Sequence, residues 1–565
     1  MTALLTDNLP LLAGAPNGVK KLRELILELA VRGKLVLQDP SDEPASNLLK
    51  RIAEEKARLV AEGKIKKQKS LPEISDEEEP FELPAGWMWT RLGEICLTQT
   101  GTTPSKSQPE LFGSDVPFIK PGDIYPDQVD YNGESLSSLG ASQSGRVAQA
   151  GSLLMVCIGT IGKCNLIDRD CSFNQQINSA TLYEGIPQYL KIAARSPYFQ
   201  ANAWSESSST TIAILNKGKW EAIPLPLPGI AEQHRIVAKV DELMVLCDHL
   251  EAQQADAECA HARLVQTLLD SLNQACDAND FAVSWQRLAE HFHTLFTTES
   301  SIDALKQTLL QLAVMGRLVP QNTCDEPARE LLKRVAEEKS RLIKECRLKK
   351  QKPLAEIKDE EKPFALPAGW EWVRKANVFN FLNGYAFKSE WFRPKGVRLL
   401  RNVNVSHGIA NWNESARIPQ ELASEFDAFQ LAENDVVLTL DRPIISTGLK
   451  YAVIRKCDLP CLLLQRVAKL SSYQGVVTVG YLVVWLNSRF FVDFIDPGRS
   501  NGVPHISTNQ VANMPFALPP LEEQHRIVAK VDQLMAICDQ LKTRLTQACQ
   551  LNEQLSSTLV EQAVA

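Results

Sequence analysis

The sequence predicts a mixed α/β (α+β) protein built as a pseudo-twofold tandem duplication. Two similar domains with curved β-sheets are expected, separated by a long antiparallel coiled coil of repeated helices. Three observations predict this fold. The decamer EQHRIVAKVD occurs at 232–241 and again, without a difference, at 523–532. Apolar residues after the second copy recur alternately four and three residues apart, as in a coiled coil. Between the repeated stretches lie many short β-like runs bounded by Gly, Pro, Ser and Asn.

The bulk composition is that of an ordinary globular protein, with 565 residues, 44% hydrophobic and 23% charged. The first residues, MTALLTDNLP, lack a basic n-region, and the thirteen cysteines form no CxxC pair. We therefore expect a reduced, cytoplasmic chain without a signal peptide, zinc ribbon or disulfide framework. The longest apolar run, at 475–486, is too short to span a bilayer and is predicted to form a buried strand followed by the start of a helix.

Self-comparison shows that the repeat extends well beyond the decamer. Residues 42–59 and 325–342 are identical at 14 of 18 positions. PFELPAGWMW at 80–89 returns as PFALPAGWEW at 363–372. Matches of this length and order exclude chance, and their period is too long for a solenoid. The chain is therefore predicted to carry two near-identical frames around two different inserts.

The two segments inside the frames, which we call the first insert (88–223) and the second insert (371–516), show little similarity to each other. SLLMVCIG at 152–159 and DVVLTLD at 435–441 are nevertheless predicted to be corresponding buried strands. The inserts are therefore interpreted as diverged copies of one α/β domain built on a curved sheet.

The charge of the inserts does not by itself indicate a partner. The first insert has 10 Lys and Arg against 12 Asp and Glu, and the second has 16 against 12. Neither balance is the strongly basic field of a non-specific nucleic-acid binder. Side chains that can pair with base edges are frequent in both, and aligning the inserts places Gln175 opposite Gln465 and Gln176 opposite Arg466. The alternative for any single Asn or Gln is that it closes a turn or caps a strand.

The repeated decamers are predicted to begin long helices. A helix over 521–562 is expected behind Pro519 and Pro520. Asp42 and Asp325 are predicted to cap the helices of the upstream repeats. The predicted seam of the last helix starts at Ile527 and continues through Val531, Leu534, Cys538, Leu541, Leu545, Ala548, Asn552, Leu555 and Leu559.

The sequence carries no recognisable catalytic motif. Only two residues separate Gly159 from Gly162 in GTIGKC, and Cys164 follows the lysine, so a strand turn is favoured over a phosphate loop. No methyltransferase, metalloprotease, nucleophile-elbow or kinase motif is present. His234 and His525 have no adjacent nucleophile and are predicted to pack or cap. The chain is predicted to be non-catalytic, and an enzyme with an unrecognised site is the least favoured alternative.

Two variable inserts, each entered through a PF-LPxGW-W segment and left through LPxxxEQHRIV into a long helix, strongly resemble the specificity subunit of type I restriction–modification systems. The most specific residues are the exit segments at 225–241 and 518–532, with the GTIGK and NQQIN stretches as weaker support. The resemblance covers nearly the whole chain. The copy ahead of the first insert is similar to the subgroup with an extended N-terminal conserved region.

This resemblance implies a division of the chain and a set of partners. The division is 1–80, N-terminal conserved helical region; 81–224, target recognition domain 1; 225–362, central conserved helical region and coiled-coil spacer; 363–516, target recognition domain 2; and 517–565, C-terminal conserved helix. Each recognition domain is expected to read one half of an asymmetric bipartite site in double-stranded DNA. Two methyltransferase and two motor–nuclease restriction subunits are the expected partners, with no membrane. S-adenosylmethionine, ATP and Mg²⁺ are expected in those subunits and no cofactor or metal in this chain.

Individual contact residues are predicted from side-chain type and position. The predicted DNA contacts are Lys163, Gln175, Gln176 and Lys217 in the first insert and Arg401, Asn404, Lys450, Arg466, Asn501 and His505 in the second. The predicted partner-docking residues are Arg235, Lys239, Arg526 and Lys530. The second insert has DRPIISTGLK where the first has GTIGK, which leaves equivalent roles in that loop open. A structural adaptor whose inserts bind proteins is the alternative function, slightly favoured by the acidic balance of the first insert.

Overall fold

The computed structural model describes residues 14–67, 70–144, 146–208, 212–275, 278–345, 354–445, 448–495 and 505–564. The chain divides into two compact units: unit 1 is Met1–Glu258 with Ala548–Ala565, and unit 2 is Cys259–Gln547. Each unit contains one insert together with helices of the repeated frame. The division of the chain into five segments that the sequence predicts stays a prediction.

The helices are short within the inserts and long within the frames. The helices that begin in unit 1 are α1 (Gly18–Val31), α2 (Ala45–Ala61), α3 (Leu92–Ile95), α4 (Ser138–Ser144), α5 (Pro187–Arg195), α6 (Pro197–Ser205), α7 (Lys217–Glu221) and α8 (Ile230–Gln274). Those that begin in unit 2 are α9 (Ala278–Glu290), α10 (Phe292–Leu295), α11 (Glu299–Val314), α12 (Ala328–Lys344), α13 (Lys375–Val378), α14 (Gln420–Ala423), α15 (Val479–Asn487), α16 (Arg489–Val492), α17 (Thr508–Asn513) and α18 (Leu521–Val564).

The strands lie within the inserts and at their two ends. Unit 1 contains β1 (Met88–Arg91), β2 (Cys96–Thr100), β3 (Phe112–Ile119), β4 (Ser135–Leu136), β5 (Val147–Ala148), β6 (Leu153–Val156), β7 (Cys164–Leu166), β8 (Cys171–Phe173), β9 (Ile177–Leu182) and β10 (Pro224–Leu227). Unit 2 contains β11 (Glu371–Arg374), β12 (Phe379–Asn383), β13 (Val397–Leu400), β14 (His407–Gly408), β15 (Ala416–Ile418), β16 (Val436–Thr439), β17 (Ile444–Ile445), β18 (Gly448–Leu449), β19 (Tyr451–Val453), β20 (Cys461–Leu463), β21 (Val467–Ser472) and β22 (Pro515–Leu518).

The two inserts share the central strand order of their sheets and differ in edge strands. The main sheet of the first insert has the order β2-β9-β6-β7, and that of the second has the order β12-β21-β16-β19-β14. The smaller sheets are β4-β3-β8-β5 and β15-β13-β20, with β3 and β8 parallel and β13 and β20 parallel. Corresponding strands therefore have corresponding neighbours, which confirms that the inserts are diverged copies of one mixed domain.

The central strand of each main sheet is the one that the apolar runs predict. All four residues of β6 and all four of β16 are buried. Each strand pairs antiparallel on both sides, β6 with β7 and β9, and β16 with β19 and β21. A strand with two neighbours and two covered faces needs an unbroken apolar run rather than an alternating one.

Each insert starts and ends on one two-stranded ribbon. Strands β1 and β10 pair antiparallel with Trp89 opposite Pro226, and β11 and β22 pair with Trp372 opposite Ala517. These strands belong to the entry and exit segments of the repeated frame. Both copies of the frame therefore close their insert in the same way.

The predicted seam of α18 is correct in its first half and wrong in its second. Ile527, Val531 and Cys538 are buried. Ala548, Asn552 and Leu555, by contrast, are exposed, and Leu559 is only partly buried. The buried residues of this half are Ser556, one position after the predicted Leu555, and Ala563. A straight α-helix drifts relative to a strict heptad, so one seam does not continue over 44 residues.

Two further local predictions are wrong. The apolar run at 475–486 contains no strand ahead of its helix, and helix α15 already begins at Val479, where the Thr478 hydroxyl caps it by accepting a hydrogen bond from the Tyr481 amide. Asp42 and Asp325 do not cap α2 and α12, because the residues at the cap are prolines and the Asp carboxylates bind arginines of the repeated decamer.

Within each unit, one helix packs against segments of both long helices. In unit 1, α1 shares an apolar cluster with the start of α8 and a second with Ala563 near the end of α18. In unit 2, α11 shares a cluster with Val265 and Leu269 of α8 and with Cys538 of α18. The duplication is therefore preserved in helix packing as well as in sequence.

Candidate nucleic-acid interface

In each insert a glycine lies directly against the backbone of an equivalent turn. The Gly101 amide donates to the Ile177 oxygen at 3.0 Å, and a Cβ at Gly101 would lie 2.1 Å from the Asn174 oxygen. At Gly384 a Cβ would lie 2.1 Å from the Leu464 oxygen. No side chain fits at either position, so the chain passes directly beneath the turn that precedes β9 in one insert and β21 in the other.

In each insert this turn carries two residues that the sequence aligns with two residues of the other insert. The structure places Gln175 and Gln176 at the same positions as Gln465 and Arg466. Gln176 immediately precedes β9 and Arg466 immediately precedes β21. The Gln176 Oε1 accepts from Asn174 Nδ2 at 3.0 Å, and the Gln175 Oε1 accepts from the Thr103 hydroxyl. Arg466 has φ 68° and its side chain is 67% exposed. The same turn therefore presents an amide in the first insert and a guanidinium in the second.

Lys163 and Lys450 have equivalent positions, because their backbone oxygens accept hydrogen bonds from the amides of Val156 and Thr439 on the corresponding strands β6 and β16. Lys163 Nζ donates to the Pro121 oxygen at 2.8 Å. Lys450 Nζ donates to the Asn402 oxygen at 2.8 Å and to Asn402 Oδ1 at 2.7 Å. Pro121 and Asn402 begin matching 3₁₀ turns at the ends of β3 and β13. Both lysines therefore hold a surface turn in place, and partial burial lowers the pKa of Lys450.

Asn404 is used inside the second of these turns. It is 1% exposed, and its Nδ2 donates to the Asn411 and Glu414 oxygens at 2.9 and 2.6 Å. Arg401 Nη2 donates to the same Glu414 oxygen at 3.0 Å. Asn404 therefore has the turn-closing role that the sequence offers as the alternative to a DNA contact.

The remaining predicted contacts differ in their surroundings. Lys217 Nζ lies 3.0 Å from Glu221 Oε1 on the same short helix, α7. His505 Nδ1 contacts Asp441 Oδ1. Asn501 lies outside the described residues. A role in DNA binding stays a prediction for all ten side chains.

The repeated decamer forms a buried clamp between the entry and exit of each insert. Glu232 is 4% exposed and accepts from Trp87 Nε1 at 2.8 Å and from Gln38 Nε2 at 2.7 Å. Glu523 is 1% exposed and accepts from Trp370 Nε1 at 2.9 Å. Burial raises the pKa of both carboxyls, and the hydrogen bonds from tryptophan and glutamine act in the opposite direction.

The next residue of the decamer ties the insert to the same clamp. Gln233 Oε1 accepts from the Ile186 amide at 3.0 Å, at the start of α5. Gln524 Oε1 accepts from the Thr478 amide at 2.8 Å, at the start of α15. The sequence contains the signal for these residues, because they are identical in both copies. It does not show which side chains meet, because each pair joins segments far apart in the chain.

The predicted partner-docking residues are bound within the chain. Arg235 forms an ion pair with Asp42, and Arg526 Nη2 lies 2.6 Å from Asp325 Oδ2. On the exposed side of the long helices, Lys239 Nζ lies 2.9 Å from Glu242 Oε1 and Lys530 Nζ lies 3.4 Å from Gln533 Oε1. The two arginines are 37% and 34% exposed, so part of each side chain reaches the surface. Their role in partner docking stays a prediction.

A second repeated contact involves an arginine at the end of each entry strand. Arg91 is 2% exposed and binds Glu78 through Nη1 and Nη2, both at 2.9 Å. Arg374 binds Glu361 in the same way at 2.7 and 2.8 Å. The arginine lowers the pKa of each carboxyl to about 2. The extended segment before each insert is therefore anchored identically in both copies.

Among the residues that the structure describes, no three His, Cys, Asp or Glu side chains form a group that could hold a metal ion. None of the helices in the described ranges is both long enough and apolar enough to cross a bilayer.

The geometry defines a class of protein in which two domains of one backbone plan carry different exposed side chains, and identical buried clamps tie each domain to long helices. The chain belongs to the type I restriction–modification DNA specificity family. The family model described as the type I restriction modification DNA specificity domain matches residues 84–257 and 367–550.

Relatives align over almost the whole chain. The specificity subunit of the type I restriction enzyme EcoAI from Escherichia coli is 49% identical over 97% of this chain and 94% of its own. That of EcoEI, also from Escherichia coli, is 36% identical over the same shares. The crystal structure of the HsdS subunit from Thermoanaerobacter tengcongensis covers 86% of this chain and 98% of its own, with 18% identity and a TM-score of 0.41. The family and the mixed fold class with two similar domains are thus confirmed by the family model and by the two specificity subunits from Escherichia coli.

Proposed function

We propose that each insert reads one half of an asymmetric, bipartite DNA site and that the long helices set the gap between the halves. The observation that carries this proposal is the pairing of one backbone plan with two sets of side chains, such as the partly buried Gln176 in the first insert and the exposed Arg466 at the same turn position in the second. Two copies of one reader with different surface residues suit two different half-sites, whereas identical readers would suit a palindrome.

Two readers on one chain also suit the energetics of recognition. One good bidentate contact to a base contributes roughly 1–3 kcal/mol of discrimination, so a small domain distinguishes only a few base pairs. A second domain in the same chain binds as an intramolecular partner and adds its own discrimination. The complete site is therefore read far more selectively than either half.

We further propose that the repeated frames dock two methyltransferase subunits. The clamps formed by Glu232 and by Glu523 have matching contacts, so each frame can offer the same surface to one copy of one partner. Two motor–nuclease restriction subunits would join that assembly in the cytoplasm. In this proposal the chain itself is non-catalytic, and the partner subunits bind S-adenosylmethionine, ATP and Mg²⁺.

The first test exchanges one insert. Residues 371–516 are replaced with the corresponding segment of a relative, the chain is produced with its methyltransferase subunits, and adenine methylation is mapped across the host genome by long-read sequencing. One half of the methylated motif should change and the other half should persist. Replacing 88–223 is the matched control and should change the opposite half. An unchanged motif would contradict the proposal and favour an adaptor that does not read DNA.

The second test lengthens both long helices. Every residue at 251–260 of α8 and at 546–555 of α18 is exposed, so an insertion there disturbs no buried contact. Four residues add about 6 Å of helix, at about 1.5 Å each. That length approaches two base-pair rises of about 3.4 Å. The gap between the methylated half-sites should widen, and an unchanged gap in an active complex would refute the role of the helices as a spacer.

A further inference from the structure

One isolated backbone bridge occurs at the same place in both inserts with opposite chemistry. In the first insert the bridge pairs Ile158 with Ile214, and in the second it pairs Asp441 with His505. The neighbouring hydrogen bonds match, because the amides of Leu215 and Ile506 donate to the oxygens of the residues just before Ile158 and Asp441, at 2.8 and 2.9 Å. The bridge therefore has one backbone geometry with two isoleucines in one insert and two ionisable side chains in the other.

The turn beneath which Gly101 and Gly384 pass adds a third position to this bridge. The Cys157 amide donates to the Gln176 oxygen at 2.8 Å, and the Leu440 amide donates to the Arg466 oxygen at 2.9 Å. Each bridge thus brings three chain segments together. The three side chains are those of Ile158, Gln176 and Ile214 in the first insert and those of Asp441, Arg466 and His505 in the second.

The carboxylate of Asp441 orients the arginine. Arg466 Nη1 lies 2.7 Å from Asp441 Oδ2, and the other carboxylate oxygen contacts His505. Asp441 is 14% exposed, whereas Arg466 is 67% exposed. A buried carboxylate that holds one end of an exposed guanidinium restricts the directions in which the rest of that group can point.

The backbone at Arg466 supports a specialised role for this side chain. Its φ of 68° lies in the left-handed region, which costs an L-residue with a side chain roughly 1–2 kcal/mol. Such conformations persist where surrounding structure enforces them, and they cluster at functional sites. Glycine would suit this position better, so the presence of an arginine needs a reason other than the stability of the turn.

We propose that Arg466, oriented by Asp441, recognises a guanine in the half-site of the second insert. This inference rests on the proposed function. Among the described residues only Nη1 of this guanidinium makes a hydrogen bond, and the fork geometry of the group matches the O6 and N7 acceptors of guanine in the major groove. Asp441 is a positioning residue, because it acts through Arg466.

A base edge fits this site better than a phosphate does. A carboxylate beside the arginine repels a phosphate but tolerates a neutral base. Phosphate contacts carry no sequence information, so two inserts of one backbone plan should make them with similar side chains. The first insert instead has two isoleucines and no ionisable group at the equivalent bridge. The side chains at this bridge therefore differ between the inserts, as they should if the bridge helps to determine which base each insert recognises.

The test replaces Arg466 with glycine in the full chain, produced with its methyltransferase subunits. Arg466→Gly removes the guanidinium and suits a φ of 68°, so the variant should fold. Methylation mapping should show that one guanine of the wild-type motif has become degenerate, in the half-site that the exchange of 371–516 alters. Gel shifts of the complex, with duplexes differing at that base pair, should show a roughly 5- to 150-fold loss of discrimination.

Two variants serve as comparisons. Gln176→Gly alters the equivalent turn position of the first insert and should leave the guanine of the second half-site essential. Asp441→Asn keeps a side chain of similar size but weakens the hold on Arg466. It should reduce discrimination at that same base pair by less than Arg466→Gly does, without changing any other position of the motif.

The proposal is overturned if the Arg466→Gly complex still requires every base of the wild-type motif. It is also overturned if binding weakens equally on all duplexes with base preference unchanged, because that result identifies a phosphate contact. Failure of the proposed function gives a different result, in which the unaltered complex shows no sequence preference or the exchange of 371–516 leaves the motif unchanged.

Discussion

The repeated frame and the inserts preserve different features of the duplicated plan. The frame preserves side-chain contacts: Trp87 Nε1 lies 2.8 Å from Glu232 Oε2, and Trp370 Nε1 lies 2.9 Å from Glu523 Oε2. The inserts preserve strand order and turn geometry while their side chains differ. The frame therefore holds both inserts by the same contacts, whereas each insert has its own side chains on a common backbone.

This difference extends into the hydrophobic core. Leu92 and Lys375 each begin the short helix after the entry strand, and both are buried, at 1% and 0% exposure. Lys375 Nζ lies 4.0 Å from the centre of the Phe491 ring and 5.8 Å from that of Trp485. Burial lowers the pKa of Lys375 well below its ordinary value. The second insert therefore tolerates a buried amine where the first has a hydrocarbon.

Leu92→Lys is expected to have the largest effect. Leu92 is part of the buried apolar cluster of the first insert, so a lysine at position 92 would be buried in a core built for leucine. Full burial shifts a lysine pKa by up to about 3–5 units, and one unit corresponds to about 1.36 kcal/mol. At about pH 7 only the interval up to the unfolded pKa of about 10.4 counts, so we expect a loss of roughly 4–5 kcal/mol in the unfolding free energy of unit 1, measured by urea denaturation.

Met88→Lys is the matched control for this substitution. Met88 is the first residue of the entry strand β1, close in sequence to Leu92, and is 41% exposed. A lysine at position 88 therefore stays in contact with water. We expect a change within about 0.5 kcal/mol. Equal losses from both variants would show that the core at Leu92 is not specialised and would remove the distinction between the two cores.

The reverse substitution, Lys375→Leu, is expected to stabilise unit 2. Replacing buried ion pairs with hydrophobic residues of similar volume often adds about 1–4 kcal/mol, and a gain in that range is expected when leucine replaces the buried Lys375 amine. The gain should depend on pH. Between its lowered pKa and about 10.4, Lys375 binds a proton in the unfolded chain more readily than in the folded chain, so wild-type stability rises with pH across that window.

Denaturation of the Lys375→Leu variant and the wild type at about pH 7 and about pH 10 measures both effects. The advantage of the variant should shrink as the pH rises. A stability difference that is independent of pH would mean that Lys375 titrates normally, and a destabilised variant would mean that its contacts with Phe491 and Trp485 outweigh the burial of the amine.

The repeat explains how much of the fold the sequence can predict. Identical segments define the frames, and buried apolar runs locate β6 and β16, because both signals are local. The seam of α18 beyond Leu545 was predicted wrongly, because the packing partners of a helix depend on tertiary structure and not on heptad spacing alone. The run at 475–486 was predicted to begin as a strand before a helix starts, and only the helix is present, because a short apolar run lacks the periodicity that separates the two.

The candidate site shows the same limit. Aligned turns predict that Gln176 and Arg466 are equivalent, and the structure places them so. Asp441 was not among the predicted residues, because its contacts with Arg466 and His505 join three segments that only the folded chain brings together. Asn404 shows the converse case, because side-chain type favours a base contact while the fold uses its amide to close a turn.

Removing the clamp carboxylate tests whether the two frames are equivalent. Glu232→Ala leaves the buried Trp87 Nε1 without its acceptor, which costs roughly 1–3 kcal/mol. Glu523→Ala should cost the same in unit 2, because Trp370 has the same contact. Denaturation of the single variants measures both losses. Glu242→Ala on the exposed side of α8 is the control and should change stability by less than about 1 kcal/mol. Clearly unequal losses would mean that the frames are matched in sequence but not in energy.

The smallest expected effect is the change in unfolding free energy when glycine replaces Gln176 or Arg466, and the sign of this change should differ between the two positions. Gln176 does not have a positive φ, so Gln176→Gly adds backbone freedom to the unfolded chain and also removes the hydrogen bond that Asn174 Nδ2 donates to Gln176 Oε1. Together these losses should destabilise unit 1 by roughly 1–2 kcal/mol. Arg466→Gly relieves the left-handed conformation at φ 68° and gives up one ion pair to an exposed arginine. It should leave unit 2 unchanged or stabilise it by up to about 1 kcal/mol. Denaturation at matched pH separates the signs. A stability loss at Arg466 as large as that at Gln176 would show that the ion pair holds the turn together, and the arginine would then need no function in recognition to explain its presence.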